Sequence, residues 1–345
     1  MRIDVPRESF LARAGPTTAG RVRMAAMLRG CVAEIRWRAL ESFGGLTQGR
    51  RRFAHGLSPA QRTRCLPAAF WRSEAAKLEG AMPGSALCRD PYARGLVEAL
   101  MTRGEIERLE ALDGEVADEL AVVEGVRCAF VDRFVMDSLQ QRMRQVVLLG
   151  SGMDCRVFRL ELPPQMTFVE VDEGAVHAAK RAALEDTGAR SRCLVRQLAL
   201  PLDSGIGAAQ LVDAIAPAIN RRKPALFILD GALSTWPADL PVTMVAAAAA
   251  LAFKGSVIVG PAPERDTRPV LEGAGFGQVN IINHLQLSKI YRRSVPEHMK
   301  MLVAIHSPPA GGARGGGGGG GGGGCNSGAG GGDNRAASRA REIRF

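Results

Sequence analysis

Several features that mark membrane, metal-binding or secreted proteins are scarce in this sequence. It contains no apolar run of about eighteen residues, and its alanine-rich stretch at 246–253 is too short to cross a bilayer. Its five histidines form no HxxxH motif and do not cluster with cysteines, so no metal site is expected. The seven cysteines form no CxxC pair and no secretory signal is recognisable, which favours a reducing, cytoplasmic setting.

Lysine is missing from residues 1–72, which contain fourteen arginines and only four acidic residues. Because the whole chain has a formal net charge of +10, this segment accounts for all of it. Such a segment can bind nucleic acid or an anionic membrane, direct import into an organelle, or remain a solvated extension. No nucleic-acid-binding motif accompanies the arginines. We therefore expect no specific nucleic-acid partner, and organelle import is the alternative to a cytoplasmic location.

The composition divides the chain into three regions. Residues 1–80 are predicted to be a basic, weakly patterned extension, residues 81–306 a folded domain, and residues 307–345 a glycine-rich tail. The tail contains ten consecutive glycines and cannot bury enough apolar surface to fold, so it is expected to be disordered. Within the extension, the patterns predict helices at 21–40 and 70–78 and a loop or insertion at 42–66.

Within the central region, β-rich apolar runs alternate with helical patterns. Strands are predicted at 146–149, 167–172, 193–198, 225–229, 256–259, 277–282 and 299–306. Helices are predicted at 90–100, 119–141, 174–187, 206–219, 238–253, 268–274 and 284–291. Strands that alternate with helices of this length indicate an α/β fold whose parallel sheet is covered on both faces.

The chain is organised around the sequence RQVVLLGSGMDCRVFRL at residues 144–160. The buried strand in this stretch runs directly into Gly150-Ser151-Gly152. Glycine lets the backbone adopt positive φ and lets a ligand approach without meeting a Cβ, as nucleotide-type cofactors require at the carboxyl edge of a parallel sheet. The next strand ends on Asp172, which suits recognition of a cofactor ribose.

Two cofactor classes use a glycine turn followed by such an acid. In the dinucleotide fingerprint the third glycine permits close helix packing, but Cys155 occupies that position here. Asp154 would also lie beside the pyrophosphate, where a negative charge costs Coulomb energy. S-adenosylmethionine contains no phosphate and carries a cationic sulfonium and amino group. The residues therefore favour S-adenosylmethionine over NAD, and an NAD-dependent oxidoreductase remains the alternative.

Longer segments then resemble a known family. The stretch VRCAFVDRFVMDSLQQRMRQVVLLGSGMDCRVFRL, the strand end FVEVD, and the earlier DPYA and later FILDGALSTW are similar to the leucine carboxyl methyltransferase family, including its bacterial and polyketide O-methyltransferase-like branch. The family turn typically reads GxGxDTR, and this chain has GSGMDCR. The resemblance covers roughly residues 85–306. It implies a class I S-adenosylmethionine-dependent O-methyltransferase with a Rossmann-like sheet, mostly parallel, and an antiparallel strand near the C-terminal end.

The resemblance also implies roles for the residues around the glycine turn. Arg127 would pair with the carboxylate of S-adenosylmethionine, and Gly150 and Gly152 would let its methionine half lie against the backbone. Asp154 and Arg156 would shape that wall of the site.

Further assignments concern the ribose, the methionine amino group and the adenine of the cofactor. Asp172 would accept both ribose hydroxyls, and Asp230, where the family carries Glu, would lie near the methionine amino group. Gln197-Leu198 stands where the family has Asp-Leu, so adenine binding is expected to be weaker. The segment PAPERDTR at 261–268 replaces a longer, lid-like insertion. A catalytically impaired S-adenosylmethionine-binding homologue is therefore a second alternative.

The expected reaction is methyl transfer to a carboxylate or hydroxyl oxygen of a small molecule or peptide terminus. A carboxylate is already anionic at neutral pH, so such a reaction needs positioning and desolvation and no general base. The sequence accordingly singles out no catalytic residue. His177, on the helix after the second strand, is expected to be a solvated helix residue.

Overall fold

The apolar runs form a seven-stranded sheet, as the alternating pattern predicts. The computed structural model describes residues 56–78, 87–202, 205–230 and 239–307. The strands are β1 (Gln145–Leu149), β2 (Thr167–Asp172), β3 (Leu194–Ala199), β4 (Leu226–Leu229), β5 (Val257–Pro261), β6 (Phe276–Ile282) and β7 (Met301–His306). Their order is β3-β2-β1-β4-β5-β7-β6, and among these strands β7 alone runs in the opposite direction to the rest. The predicted fold class is confirmed.

Helices lie in every interval where the sequence predicts one within the described ranges. They are α1 (Pro59–Leu78), α2 (Ala93–Leu100), α3 (Arg103–Glu110), α4 (Gly114–Gln140), α5 (Arg156–Arg159), α6 (Gly174–Leu184), α7 (Ala208–Ile215), α8 (Leu240–Leu251), α9 (Arg268–Gly273) and α10 (His284–Tyr291). Neither α3 nor the single turn α5 was predicted from the sequence. A capping box begins α3, with Thr102 and Glu105 satisfying each other's backbone N–H groups.

Alternate residues of the central strands enter two separate cores, which is why these strands are apolar without interruption. Val147 and Leu149 of β1 pack with α7, α8 and α9 on one face. Val146 and Leu148 pack with α4, α5 and α10 on the other face. A third core joins α1, α2 and α6 beside the carboxyl ends of the strands. Burial on both faces is the property that a parallel sheet requires.

The first described helix, α1, corrects the sequence analysis. The predicted loop at 42–66 is wrong over residues 59–66, and the predicted helix at 70–78 is the second half of a longer helix containing Pro67. Leu66 and Phe70 are almost fully buried in the third core. We therefore propose that the folded domain begins by residue 59 rather than at residue 81. The predicted helix at 21–40 and the tail from residue 308 lie outside the described residues.

Two further observations concern the cysteines and the length of the apolar helices. Cys88 and Cys128 form a disulfide with their Cα atoms 5.8 Å apart, and the expectation of a reducing setting did not anticipate this bond. Cys65, Cys155 and Cys193 are free thiols. Across the part of the chain that the structure describes, no helix is long and apolar enough to span a membrane.

Candidate functional site

A cavity lies at the carboxyl edge of the sheet, where β1 and β4 are neighbours. Because the chain crosses from β1 toward β2 on one side and from β4 toward β5 on the other, this is the position where α/β sheets bind ligands. The cavity brings together six of the nine residues that the sequence analysis selected, namely Arg127, Gly150, Gly152, Asp154, Asp172 and Asp230.

The glycine turn after β1 is anchored to β2 by its backbone. Gly150 and Gly152 have φ values of 76° and 46°, which residues other than glycine adopt only at a cost in free energy. The N–H groups of Gly150 and Ser151 both donate to the Val171 carbonyl, at 2.9 and 3.2 Å. The Gly152 N–H donates to Asp172 Oδ2 at 2.7 Å. The predicted role of glycine in forming the turn thus has a geometric basis.

Asp172, at the end of β2, is completely buried and accepts three hydrogen bonds from the protein. Its Oδ2 accepts from Gly152, and its Oδ1 accepts from the Glu173 N–H at 2.7 Å and from Arg64 Nη2 at 3.1 Å. Arg64 Nη2 also lies 2.7 Å from Glu173 Oε1. A residue of α1 therefore covers the carboxylate that the sequence analysis assigned to ribose.

Arg127 lies on α4 and forms ion pairs with two acids. Its Nη2 is 2.6 Å from Glu124 Oε1, one turn earlier on the helix, and its Nη1 donates to Asp230 Oδ1. Burial would raise the pKa of Glu124, but Arg127 and Arg72 outweigh burial and lower it. The guanidinium is thus oriented toward the cavity by two carboxylates that also compensate its charge.

Asp154 and Arg156 form the wall behind the turn. Arg156 Nη1 donates both to Asp154 Oδ2 and to Asp230 Oδ2, and the Arg156 N–H donates to Asp154 Oδ1 at 2.7 Å. Burial raises the pKa of Asp154, but the attraction of Arg156 and Arg72 prevails and lowers it to about 2. Arg156 is itself buried behind the cavity lining. Asp154 is consequently ionised throughout the physiological pH range.

These pairs belong to a buried network that spans α1, α4 and the three strand ends. Arg72 of α1 bridges Asp90, Glu124 and the Met153 carbonyl. On the other side, Asp132 of α4 pairs with Arg156 and Arg159. The described network carries one formal negative charge in excess, because it contains four arginines and five acidic residues. Its members are Arg72, Arg127, Arg156, Arg159, Asp90, Glu124, Asp132, Asp154 and Asp230.

The remaining selected residues, Gln197 and Leu198 on β3, do not line the cavity. Gln197 Nε2 donates to Glu170 Oε2 at 3.0 Å, and its Oε1 accepts from Arg181 at 2.5 Å. Glu170 is paired in turn with Lys180 at 2.7 Å, and both side chains are buried. Gln197 is therefore engaged by its neighbours on β2 and α6.

His177 is buried, which contradicts the expectation of a solvated helix residue. Its Nε2 lies 3.2 Å from the Leu198 carbonyl, and burial lowers the pKa of the ring. The prediction failed because His177 lies on the face of α6 that packs against β3, a contact that the sequence of α6 does not reveal.

Sequence reasoning missed the contribution of α1. Arg64, Cys65, Ala68 and Arg72 all line the cavity, although the sequence analysis placed this segment in the basic extension. Burial, followed by the nearby Asp172 carboxylate, raises the pKa of the Cys65 thiol to about 12, so this sulfur remains protonated. The available signal was the presence of Arg62, Arg64 and Arg72 within one short stretch, but such arginines are usually solvated.

Sequence comparison places the site in a family. The model of the leucine carboxyl methyltransferase family matches residues 68–238. A relative from Mycobacterium marinum, named as a candidate S-adenosyl-L-methionine-dependent methyltransferase, is 32% identical over 186 residues, which cover 49% of this chain and 55% of that protein. A relative from Mycobacterium avium with the same name is 30% identical, covering 48% and 55%. The chain thus spans about half the length of these curated relatives.

Solved structures with a similar arrangement share little sequence identity. A DUF574 family protein from Streptomyces avermitilis has a TM-score of 0.44 and 12% identity, covering 69% of this chain and all of that one (100%). An O-methyltransferase of tomaymycin synthesis from Streptomyces achromogenes, solved in complex with SAM, has a TM-score of 0.39 and 11% identity, covering 69% and 97%. The family resemblance expected from the sequence is confirmed by the family model: over residues 68–238, the chain belongs to the leucine carboxyl methyltransferase family.

Proposed function

We propose that this protein is an S-adenosylmethionine-dependent methyltransferase whose cofactor binds in the cavity at the ends of β1, β2 and β4. The observation that carries the proposal is the charge of this site. The buried network has one acid more than it has arginines, and a ligand with a sulfonium and an ammonium group compensates that excess. A pyrophosphate would add negative charge beside Asp154, so the charge argues against a dinucleotide.

The residues present fit this cofactor. Asp172 has the acceptor oxygens for the ribose hydroxyls, and Asp230 and Asp154 offer carboxylates to the cationic methionine half. Arg127 is the candidate partner of the cofactor's carboxylate, while Gly150 and Gly152 permit close approach of the backbone. These assignments are supported by their joint position around one cavity.

The adenine contact is the part of the proposed site that differs most from the assignment made from the sequence. Gln197 would have to release Glu170 or Arg181 before it could bond to adenine. We therefore propose that Gln197 acts by holding Glu170 in place, and that Leu198, which packs against the core beside α7 and α8, supports β3.

The lining of the cavity favours a carboxylate acceptor over a hydroxyl. When bound, S-adenosylmethionine supplies an electrophilic methyl group on a cationic sulfur. The described residues that line the cavity include no histidine. The acids among them, Asp154, Asp172 and Asp230, are held in ion pairs or in hydrogen bonds from the backbone. A hydroxyl acceptor would require a base to take its proton, whereas a carboxylate requires only desolvation and alignment. We propose O-methylation of a carboxylate on a small molecule or peptide terminus.

Two measurements test this proposal. Isothermal titration calorimetry should show binding of S-adenosylmethionine and no comparable binding of NADH. Asp172→Asn should weaken S-adenosylmethionine by about 2 kcal/mol, or roughly thirtyfold, from the loss of charge-assisted hydrogen bonds. The matched control is Asp213→Asn on the exposed surface of α7, which should change nothing. Tight NADH binding without S-adenosylmethionine binding would refute the proposal.

The acceptor is tested by transferring a labelled methyl group to components of a cell extract. A carboxyl methyl ester releases labelled methanol in mild base, whereas a methyl ether is stable. Base-labile label would support the proposed acceptor, and base-stable label would show that the acceptor is not a carboxylate. Binding without transfer to any component would favour the catalytically impaired alternative.

A further inference from the structure

Ser151, in the middle of the glycine turn, has a buried hydroxyl that the fold does not use. The residue is 2% exposed and lines the cavity, and its Oγ makes no hydrogen bond to any residue the structure describes. Buried side-chain hydroxyls nearly always have a partner, because leaving one unsatisfied costs free energy. A polar group of this kind at a cavity wall points to a ligand that supplies the missing partner.

The rest of the turn has no N–H group left for such a ligand. The N–H groups of Gly150 and Ser151 both donate to the Val171 carbonyl, and that of Gly152 donates to Asp172. The turn therefore cannot act as a cradle of free N–H groups in the manner of phosphate-binding loops. Its remaining polar side chain at the cavity is the Ser151 hydroxyl.

The charges around the cavity indicate which ligand group this hydroxyl meets. Three carboxylates, those of Asp154, Asp172 and Asp230, line the cavity and can accept hydrogen bonds from a cation. Three arginines, Arg64, Arg72 and Arg127, line the cavity as well, but each is already paired with acidic residues of the protein. An anionic ligand group would therefore need a further donor, and a serine hydroxyl can provide one.

We propose that the Ser151 hydroxyl donates a hydrogen bond to the carboxylate of the methionine half of S-adenosylmethionine, beside Arg127. This inference rests on the proposed function and deepens it, because it names the group that completes the carboxylate site. Ser151 is then a positioning residue, which fixes the methionine half in the cavity and makes no contact with the reacting methyl.

The experiment compares two ligands and two serines. Ser151→Ala is titrated with S-adenosylmethionine and with decarboxylated S-adenosylmethionine, which lacks only the carboxylate. The expected result is a loss of roughly tenfold in affinity for S-adenosylmethionine and no loss for the decarboxylated ligand. Ser151→Cys, which keeps the volume of the side chain, should show most of the same loss.

Ser138→Ala provides the matched control. Ser138 is equally buried, but its hydroxyl donates to the Val135 carbonyl at 2.7 Å within α4. Removing that hydroxyl should lower the Tm of the ligand-free protein and leave both affinities unchanged. Ser151→Ala should leave the Tm unchanged or raise it, because its hydroxyl has no protein partner to lose.

Three results would overturn the inference, and each is distinguishable from failure of the proposed function. Equal losses for both ligands would show that Ser151 contacts another part of the cofactor. Unchanged affinity for S-adenosylmethionine would show that the hydroxyl makes no contact, and a lowered Tm without a change in affinity would show a structural role. A wild-type protein that binds neither ligand would instead refute the proposed function itself.

Discussion

Replacing Arg64 by methionine should make S-adenosylmethionine bind more tightly, although it removes a charged residue from the cofactor cavity. Arg64 reaches from α1 to the carboxylate of Asp172, with Nη2 to Oδ1 at 3.1 Å. If Asp172 accepts the ribose hydroxyls, then Arg64 and ribose compete for the same oxygen. Methionine keeps the apolar length of the side chain and removes the competing donor.

The magnitude follows from counting the acceptor sites of Asp172. An ionised carboxylate offers about four lone pairs. Three are used by the protein, from Gly152, Glu173 and Arg64, and a ribose diol needs two. One donor must therefore leave, and Arg64 is the only one of these three that belongs to a side chain. Losing one charge-assisted hydrogen bond costs about 1–2 kcal/mol, so its removal should tighten binding by roughly 5- to 30-fold.

Calorimetry on the variant and a matched control measures this effect. Arg62 lies on the same helix, is equally buried, and pairs with Glu105 at 2.5 Å, but it does not line the cavity. Arg62→Met should therefore lower the free energy of unfolding and leave the Kd for S-adenosylmethionine unchanged. Arg64→Met should also lower the free energy of unfolding, since Asp172 loses a donor, while its Kd falls.

An increase in Kd for Arg64→Met would refute this reasoning. A tenfold or greater loss of affinity for S-adenosylmethionine in Arg64→Met, with no loss in Arg62→Met, would show that Arg64 donates directly to the cofactor. An unchanged Kd would show that the ribose does not displace Arg64, and hence that Asp172 does not accept both hydroxyls.

The remaining predictions concern stability. The folded-state pKa of Asp154, about 2, lies below its ordinary value of 3.8, so its contribution of roughly 2 kcal/mol is complete above about pH 4 and is lost as the pH falls toward 2. Urea unfolding at pH 5 and pH 3 should show a loss of about 1 kcal/mol from this group, and Asp154→Asn should reduce the difference by that amount. Lys180→Met leaves Glu170 buried without its ion-pair partner and should cost about 3–5 kcal/mol in urea unfolding, most of which the double variant with Glu170→Gln should recover. Reduction of the disulfide between Cys88 and Cys128, 40 residues apart, should lower stability by up to about 4 kcal/mol, and Cys128→Ser should melt identically with and without reductant.

Local patterns were enough to predict the sheet and the glycine turn. Each strand is a short apolar run bounded by turn residues, so its position depends on residues that are adjacent in sequence. The predicted position of Asp172 at a strand end followed in the same way, because parallel strands place their carboxyl ends at one edge of the sheet. Local patterns placed Asp230 at a strand end too, and the family resemblance then predicted that Asp172 and Asp230 contact the same cofactor.

Features that depend on pairing across long sequence separations were not predictable. The arginines of α1 resemble a solvated segment, because their partners lie far along the chain: Arg64 meets Asp172, 108 residues away, and Arg72 meets Glu124, 52 residues away. Gln197 likewise depends on the register of β3 against β2, which places it opposite Glu170. In each case the sequence shows the charged or polar residue but not the partner that decides its role.

The buried charges themselves argue for a ligand at this site. Ion pairs gain little stability on burial, because desolvation offsets most of their attraction, and apolar residues of similar volume would serve the fold as well. Here Arg72, Arg127 and Arg156 are nevertheless buried beside the cavity, each held by at least two acidic residues. Such a network holds its carboxylates and guanidinium groups in one orientation before any ligand arrives, so a charged cofactor meets groups that need no reorganisation. We infer that the network is retained for cofactor recognition rather than for stability, and that the neighbouring bond from Arg64 to Asp172 is the one that the cofactor replaces.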